Sequence, residues 1–386
     1  MKKRFMYLAG LSLVVGILAG TAACGNAGES ENTEYSVTDS ATLDLDTYSL
    51  DDENAFYDGP GAYMAVTEDG IYYWSINNYL QFYDFASGST VAVCSRTECL
   101  HEDASCNAYF ASGDGYNTFQ ICYEDGYLYV ECYNSESGEM SLYRVVPDGS
   151  TREKIMTLYE VATGGTSGDA YTYPALCIHD GYVYYVNYDE DVEKLRRAKL
   201  GSSDSEVLYA MGSETSFSNM ISNGDFLFFG CYRFADDSYD SYEGSLYCYN
   251  YVSGEVTNLQ APYGAFAVTD DTLYYDSDLQ LVARSLKDGS EEVILDRIEG
   301  STFFVANETV YVLDNVNGIL TAFDLNGKEL SSFDGGTMFC SLSYEDYIYT
   351  DLVSGEMEIR QFISVEDFLN QEDAWIILDK ENNSDD

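Results

Sequence analysis

From about residue 62 onward, apolar and polar positions alternate with a period of two, interrupted at regular intervals by short polar turns. The strings DGIYYW at 69, DGYLYV at 125, DGYVYY at 180, GDFLFF at 224, DTLYYD at 271, ETVYVL at 308 and DYIYTD at 346 are seven copies of one pattern. Six are followed by a second alternating run that ends in a turn: LQFYDFASG at 80, LYRVVPDG at 142, LRRAKLGS at 195, LYCYNYVSG at 246, LVARSLKDG at 281 and LTAFDLNG at 320. The seventh, EIRQFI at 358, is degenerate. Period-two runs of Tyr, Val, Ile and Phe bounded by Asp-Gly or Ser-Gly turns predict β-hairpins, and no stretch of the repeat region sustains a helical period. The fold class is all-β.

Copies recur every 37 to 56 residues, close to the forty-odd that a four-stranded propeller blade needs. One such blade cannot bury both of its faces, so the blades must stack around a common axis. The expectation is a β-propeller over residues 62–380, of seven blades by the count of copies, with six or eight as the alternatives. The 37 tyrosines suit this arrangement, because each can pack its ring between blades while its hydroxyl reaches water. AWIILD at 374–379 is a candidate closing strand or a short helix on the rim, and residues 381–386 read as a disordered tail.

The first residues carry a different pattern. Lys2, Lys3 and Arg4 precede an apolar stretch from Leu8 to Ala23, which predicts a signal peptide over residues 1–23, with an uncleaved transmembrane helix as the alternative. The string TAACGN resembles the lipobox of bacterial lipoproteins, although Thr21 stands where an aliphatic residue is usual. That resemblance implies cleavage before Cys24, a lipid on its sulfur, and a protein held at the outer face of a cell membrane. Gly25 to Ser40, rich in Glu, Ser, Asn and Thr, predicts a flexible tether behind Cys24, and residues 41–61 an acidic, irregular lead-in.

Two further resemblances rest on the repeat region. The combination of DGxxYY with a following LxRxxLDG-like strand, clearest from Leu273 to Gly289, resembles the YWTD-type propellers of low-density lipoprotein receptor relatives. The stretch VAVCSRTECLHEDASCNAYF at 91–110 is similar to a motif of propeller lipoproteins from anaerobic Gram-positive bacteria, a family whose biochemical activity is unassigned. Both imply the fold and, for the second, the location.

Charge narrows the partners. The chain has 18 basic and 67 acidic side chains; removing residues 1–23 takes three of the bases and no acid, leaving 15 against 67. Such a surface repels nucleic acid and anionic headgroups. With 46% hydrophobic residues and acids spread throughout, the composition describes a folded protein with an acidic skin. Glycans through tyrosine stacking, cationic peptides through charge, or a protein are the partners that fit.

Candidate chemistry concentrates in one place. Cys94, Cys99, His101 and Cys106 lie within thirteen residues in a C-x4-C-x-H-x4-C pattern, and the chain has only one other histidine. Three thiolates and an imidazole suit a tetrahedral, structural zinc ion; a disulfide such as Cys94 to Cys106 or Cys99 to Cys106 is the alternative outside the cytosol. Cys122, Cys132, Cys177, Cys231, Cys248 and Cys340 fall in or beside predicted strands and read as core, with a Cys231–Cys248 bridge across one hairpin as the alternative for that pair. In the insertion RFADDSYDSYEG, the residues Asp236, Asp237, Asp240 and Glu243 are candidate calcium ligands, set against the simpler reading of a solvated loop. His179 lacks an evident partner, and neither a G-x-S-x-G elbow nor a phosphate loop is present, so no catalytic residue is named. The function this points to is a lipid-anchored binding or interaction module, with a polysaccharide hydrolase or lyase using carboxylates at the propeller mouth as the alternative.

Overall fold

The repeats fold into seven separate sheets, each of four antiparallel strands, blades 1 to 7 in chain order, and the fourth gains a fifth strand from outside the repeats. The structure is a computed structural model and describes residues 36–50, 64–76, 79–101, 105–110, 116–134, 137–160, 176–189, 192–210, 215–234, 242–298, 301–314, 316–335, 337–343, 347–354 and 357–382. Strand β1 (Val37–Asp39) precedes the blades. Blade 1 is β2 (Met64–Thr67), β3 (Gly70–Trp74), β4 (Leu80–Asp84) and β5 (Ser89–Ala92); blade 2 is β6 (Tyr116–Glu124), β7 (Tyr127–Asn134), β8 (Glu139–Val145) and β9 (Arg152–Glu160). Blade 3 is β10 (Leu176–His179), β11 (Tyr182–Asp189), β12 (Val192–Lys199) and β13 (Ser205–Ala210); blade 4 is β14 (Thr215–Asn223), β15 (Phe226–Phe234), β16 (Tyr242–Asn250) and β17 (Val256–Pro262). Blade 5 is β18 (Phe266–Thr269), β19 (Thr272–Ser277), β20 (Gln280–Ser285) and β21 (Glu291–Leu295). Blade 6 is β22 (Ser301–Ala306), β23 (Thr309–Asp314), β24 (Ile319–Asp324) and β25 (Glu329–Asp334). Blade 7 is β26 (Thr337–Ser343), β27 (Tyr347–Ser354), β28 (Met357–Ser364) and β29 (Ile376–Asn382), with helix α1 (Val365–Leu369) between its last two strands.

The Asp-Gly turns do what their chemistry dictates. Asp125 and Gly126 have φ of 49° and 78°, Asp180 and Gly181 of 49° and 76°, so each closes a two-residue hairpin of the primed type that matches strand twist. Burial follows position in the blade. All five residues of β3 are buried, whereas β5 at the outer edge is exposed over its first three. Inner strands face a neighbouring blade on both sides, which turns an alternating pattern into continuous burial.

Seven apolar clusters fill the seven junctions between blades. Trp74, Leu80, Ile121 and Val130 pack between blades 1 and 2, and Phe228, Leu259, Val268 and Leu273 between blades 4 and 5. Met64, Ile71, Tyr349 and Phe362 pack between blades 7 and 1, which closes the ring. Among the described residues no strand is shared across that last joint. It is held by packing, by Tyr73 Oη donating to the Leu378 carbonyl (3.0 Å), by the Ile76 N–H donating to Asp379 (3.0 Å), and by Arg360 donating to the Trp74 carbonyl. AWIILD resolves accordingly: Ile376–Asn382 is the outermost strand of blade 7 and reaches two residues into the expected tail.

Residues 36–50, the end of the expected tether and the start of the expected lead-in, are seated on the blades. Val37–Asp39 pair in parallel with Val256–Asn258, adding β1 to the outer edge of blade 4. The chain then crosses toward blade 5, with Leu43, Leu45, Tyr48 and Leu50 packed on the blade 4–5 cluster. The Leu43 N–H donates to Leu286 O (2.7 Å), and the Ser49 N–H and hydroxyl both donate to Asp225 Oδ2 (2.8 and 3.1 Å). The spaced leucines of an acidic segment are therefore an apolar strap over a junction that its neighbours in sequence do not form. Cys24 and the rest of residues 1–35 lie outside the described residues.

Candidate metal centre

After β5 the chain leaves blade 1 through a loop that crosses to blade 2. Its two ends are fixed to blade 1. The Val93 N–H donates to the Leu80 carbonyl (2.9 Å), the Leu80 N–H donates to the Ala108 carbonyl (2.8 Å), and Tyr79 and Tyr109 form an antiparallel bridge. Phe110 then enters the junction, edge-on to Trp74 (5.1 Å between centroids) and to Tyr143 of blade 2 (5.6 Å). Arg152 of blade 2 lies over the Phe110 ring at 4.8 Å and donates to the Tyr109 carbonyl. Fixing both ends forces the residues between them into a compact excursion.

That excursion gathers Cys94, Cys99, His101 and Cys106 so that one ligand atom from each lies within 4.8 Å of the others. His101 Nδ1 stands 3.1 Å from Cys106 Sγ, and His101 takes a left-handed backbone (φ 58°), a conformation that His tolerates better than most residues. Cys106 is buried; Cys94 and Cys99 are partly so. Main-chain amides point at the sulfurs: those of Arg96 and Asn107 toward Cys94, and that of Ala108 toward Cys106. Two of these come from the second residue after the cysteine, a short-range wrap that presents amide dipoles to a thiolate. The Arg96 guanidinium donates to the Ser105 carbonyl and hydroxyl, tying the start of the loop to its end.

Burial opposes ionisation of Cys94, yet the amides of Arg96 and Asn107 leave its thiol below the ordinary value; burial pushes Cys106 up to about 12. A cation would convert both to thiolates. Three sulfurs and an imidazole nitrogen are the donor set of a closed tetrahedral site, with no position left for substrate or water. Among the described residues this is the one grouping of three or more His, Cys, Asp or Glu side chains able to hold a metal ion. All four predicted ligands converge, and the three cysteines are free thiols.

Other candidates fare differently. Cys231 and Cys248 pair across the strands with Ser245 and Phe228, three residues out of register, so they face opposite sides of blade 4 and sit in different clusters; they cannot bridge. Cys122, Cys132 and Cys177 are buried in the junctions, as a core reading requires. Of the candidate calcium ligands, Asp236, Asp237 and Asp240 lie outside the described residues, and Glu243 is exposed and paired with Arg233 (3.0 Å). His179, at the end of β10, stacks on Tyr251 (4.1 Å, 12°) with Nε2 3.7 Å from Asp180, a packed strand-end histidine. No helix among the described residues is long and apolar enough to cross a membrane. Gly149 and Asn107, discussed below, are the contributors that sequence reasoning missed.

No protein-family model matches the sequence, and no curated protein matches it. Solved structures do. A prolyl endopeptidase structure is similar over 86% of this chain with a TM-score of 0.59 at 12% identity; the chain spans about half (51%) of that protein's length. An oligogalacturonate lyase in complex with manganese has a TM-score of 0.46 at 12% identity, covering 76% of this chain and 77% of that one. A nidogen/laminin complex has a TM-score of 0.40 at 11% identity, covering 67% and 91%. At such identities the likeness of the first is one of fold.

Proposed function

We propose that this chain is a lipid-anchored, extracytoplasmic β-propeller that binds a ligand or partner protein through the loops of its ring, does no chemistry of its own, and carries a structural zinc ion at Cys94, Cys99, His101 and Cys106. The observation that carries the reading is the docking of β1. It joins the outermost edge of blade 4, so the first described strand of the segment that follows Cys24 in sequence is seated at the circumference of the ring and not among the inner strands, and connecting loops are where such scaffolds carry recognition. The excess of acids over bases favours cationic or sugar-like ligands over polyanions. Four protein ligands favour a structural role for the metal.

The Cys24→Ser chain provides the test. It should shift from the membrane to the soluble fraction and lose metabolic lipid labelling, and on glycan and peptide arrays it should retain a specific ligand. An unchanged membrane fraction removes the anchor, and cleavage of an arrayed polysaccharide replaces binding by hydrolysis or elimination. A native mass with one zinc supports the metal; a mass two hydrogens short and metal-free replaces it with a disulfide.

A further inference from the structure

The metal loop does not stand alone on blade 1. The turn between β8 and β9 of blade 2, residues 146–151, comes up beneath it, and Gly149 is the point of contact. Its carbonyl accepts from the Ser95 N–H (3.2 Å) and from Asn107 Nδ2 (2.8 Å). Ser95 follows the first ligand and Asn107 follows the last. Asn107 serves both sides, since its own amide points at Cys94 Sγ while its side chain holds Gly149. The approach is closer than any side chain allows: a Cβ on Gly149 would lie 2.3 Å from Cys94 N and 2.4 Å from the Val93 carbonyl carbon. Gly149 also has φ 70°, as the turn demands.

We infer that Gly149 is a positioning residue for the metal, and that occupancy of the site and docking of the blade 2 turn are one coupled event which locks blade 1 to blade 2. The inference rests on the zinc reading above. The turn sets the spacing of the two ends of the ligand loop by binding the residue beside each end, and metal ligands held by such outer partners lose affinity when the partners are removed. By linkage, an ion that binds the docked arrangement stabilises the docking by the same amount.

The blade itself supplies the control. Gly126 has the same left-handed requirement (φ 78°) but nothing within 4 Å of where its Cβ would sit, so Gly126→Ala carries the backbone strain without the collision. Titration of the full chain with cobalt(II), read by its tetrahedral thiolate absorption, and with zinc by competition, should give one site. Gly149→Ala should weaken it about tenfold or more, while Gly126→Ala leaves it within about twofold. Equal affinity in Gly149→Ala and the parent chain overturns the coupling and leaves the zinc reading intact; a parent chain that takes up no metal overturns both. Should Gly149→Ala fail to fold, hydrogen exchange of the parent decides. The Ser95 amide, which donates to Gly149, should exchange more slowly with zinc than with chelator, and equal exchange overturns the inference.

Discussion

Two of the ring's junctions are reinforced by segments outside the blade strands, by opposite means. Between blades 4 and 5 the reinforcement is a strap from far away in sequence, held by four apolar side chains and one short parallel pairing. Between blades 1 and 2 it is a local loop whose core is three thiols and an imidazole rather than leucines. The strap draws on burial, which is insensitive to metal and nearly so to pH. Between its anchored ends the ligand loop has little apolar substance, with Leu100 between two ligands 78% exposed, and on the proposed zinc reading it depends on an ion to cohere. Two joints of the same architecture thus differ in their sensitivity to their surroundings.

Stripping the metal is the strongest way to separate them. With zinc held at about a thousand times its dissociation constant, chelation should cost about 4 kcal/mol of stability by mass action. The added hydrogen exchange should fall on residues 93–101, 105–110 and the 146–151 turn and spare 36–50; loss of protection in the strap would break the comparison. Next in size, Leu43→Ala with Leu45→Ala should cost roughly 2–3 kcal/mol, since each leucine is only partly buried. Its denaturation midpoint should shift equally with and without chelator, because the two reinforced joints share no residue; unequal shifts would mean that they communicate.

Smaller effects sharpen the strap's side. Glu291 accepts from Tyr275 and pairs with Arg284, and these partners hold its carboxyl below the ordinary 4.5. A carboxylate with a depressed folded pKa contributes stability above its unfolded value and loses it as pH falls through the folded one. Glu291→Gln should therefore cost up to about 1 kcal/mol at pH 7, a figure kept small because the side chain is 47% exposed, and the difference should shrink as pH falls below 4.5 and vanish only below the depressed folded value. Parallel melts across pH would check it; a difference that grows in acid refutes the assignment. Ser49→Ala removes one of two bonds to Asp225 and should cost about 0.5 kcal/mol by urea unfolding.

What could be read in advance follows from range. Hairpins are local, so DGIYYW and its six relatives announced the blades, and the ligand loop is local too, so its four residues could be listed together. Gly149 was visible only as a turn residue, because nothing in PDG says which other loop will settle on it. Val37–Asp39 looked like tether for the same reason: three residues acquire meaning only from an edge strand more than two hundred positions later. The Cys231–Cys248 bridge failed on parity, since an odd offset in register sends the two thiols to opposite faces.

The docking of β1 has a consequence for the order of events during synthesis. Val37 is made early, but its partner Val256 emerges only after four blades' worth of chain, and Leu286 later still. Blades 1 to 3 can form hairpin by hairpin while the strap stays without its seat, and contacts of such long separation are the slow ones in folding. Val37–Asp39 leave the ribosome before any blade and are thus among the last residues to find their place.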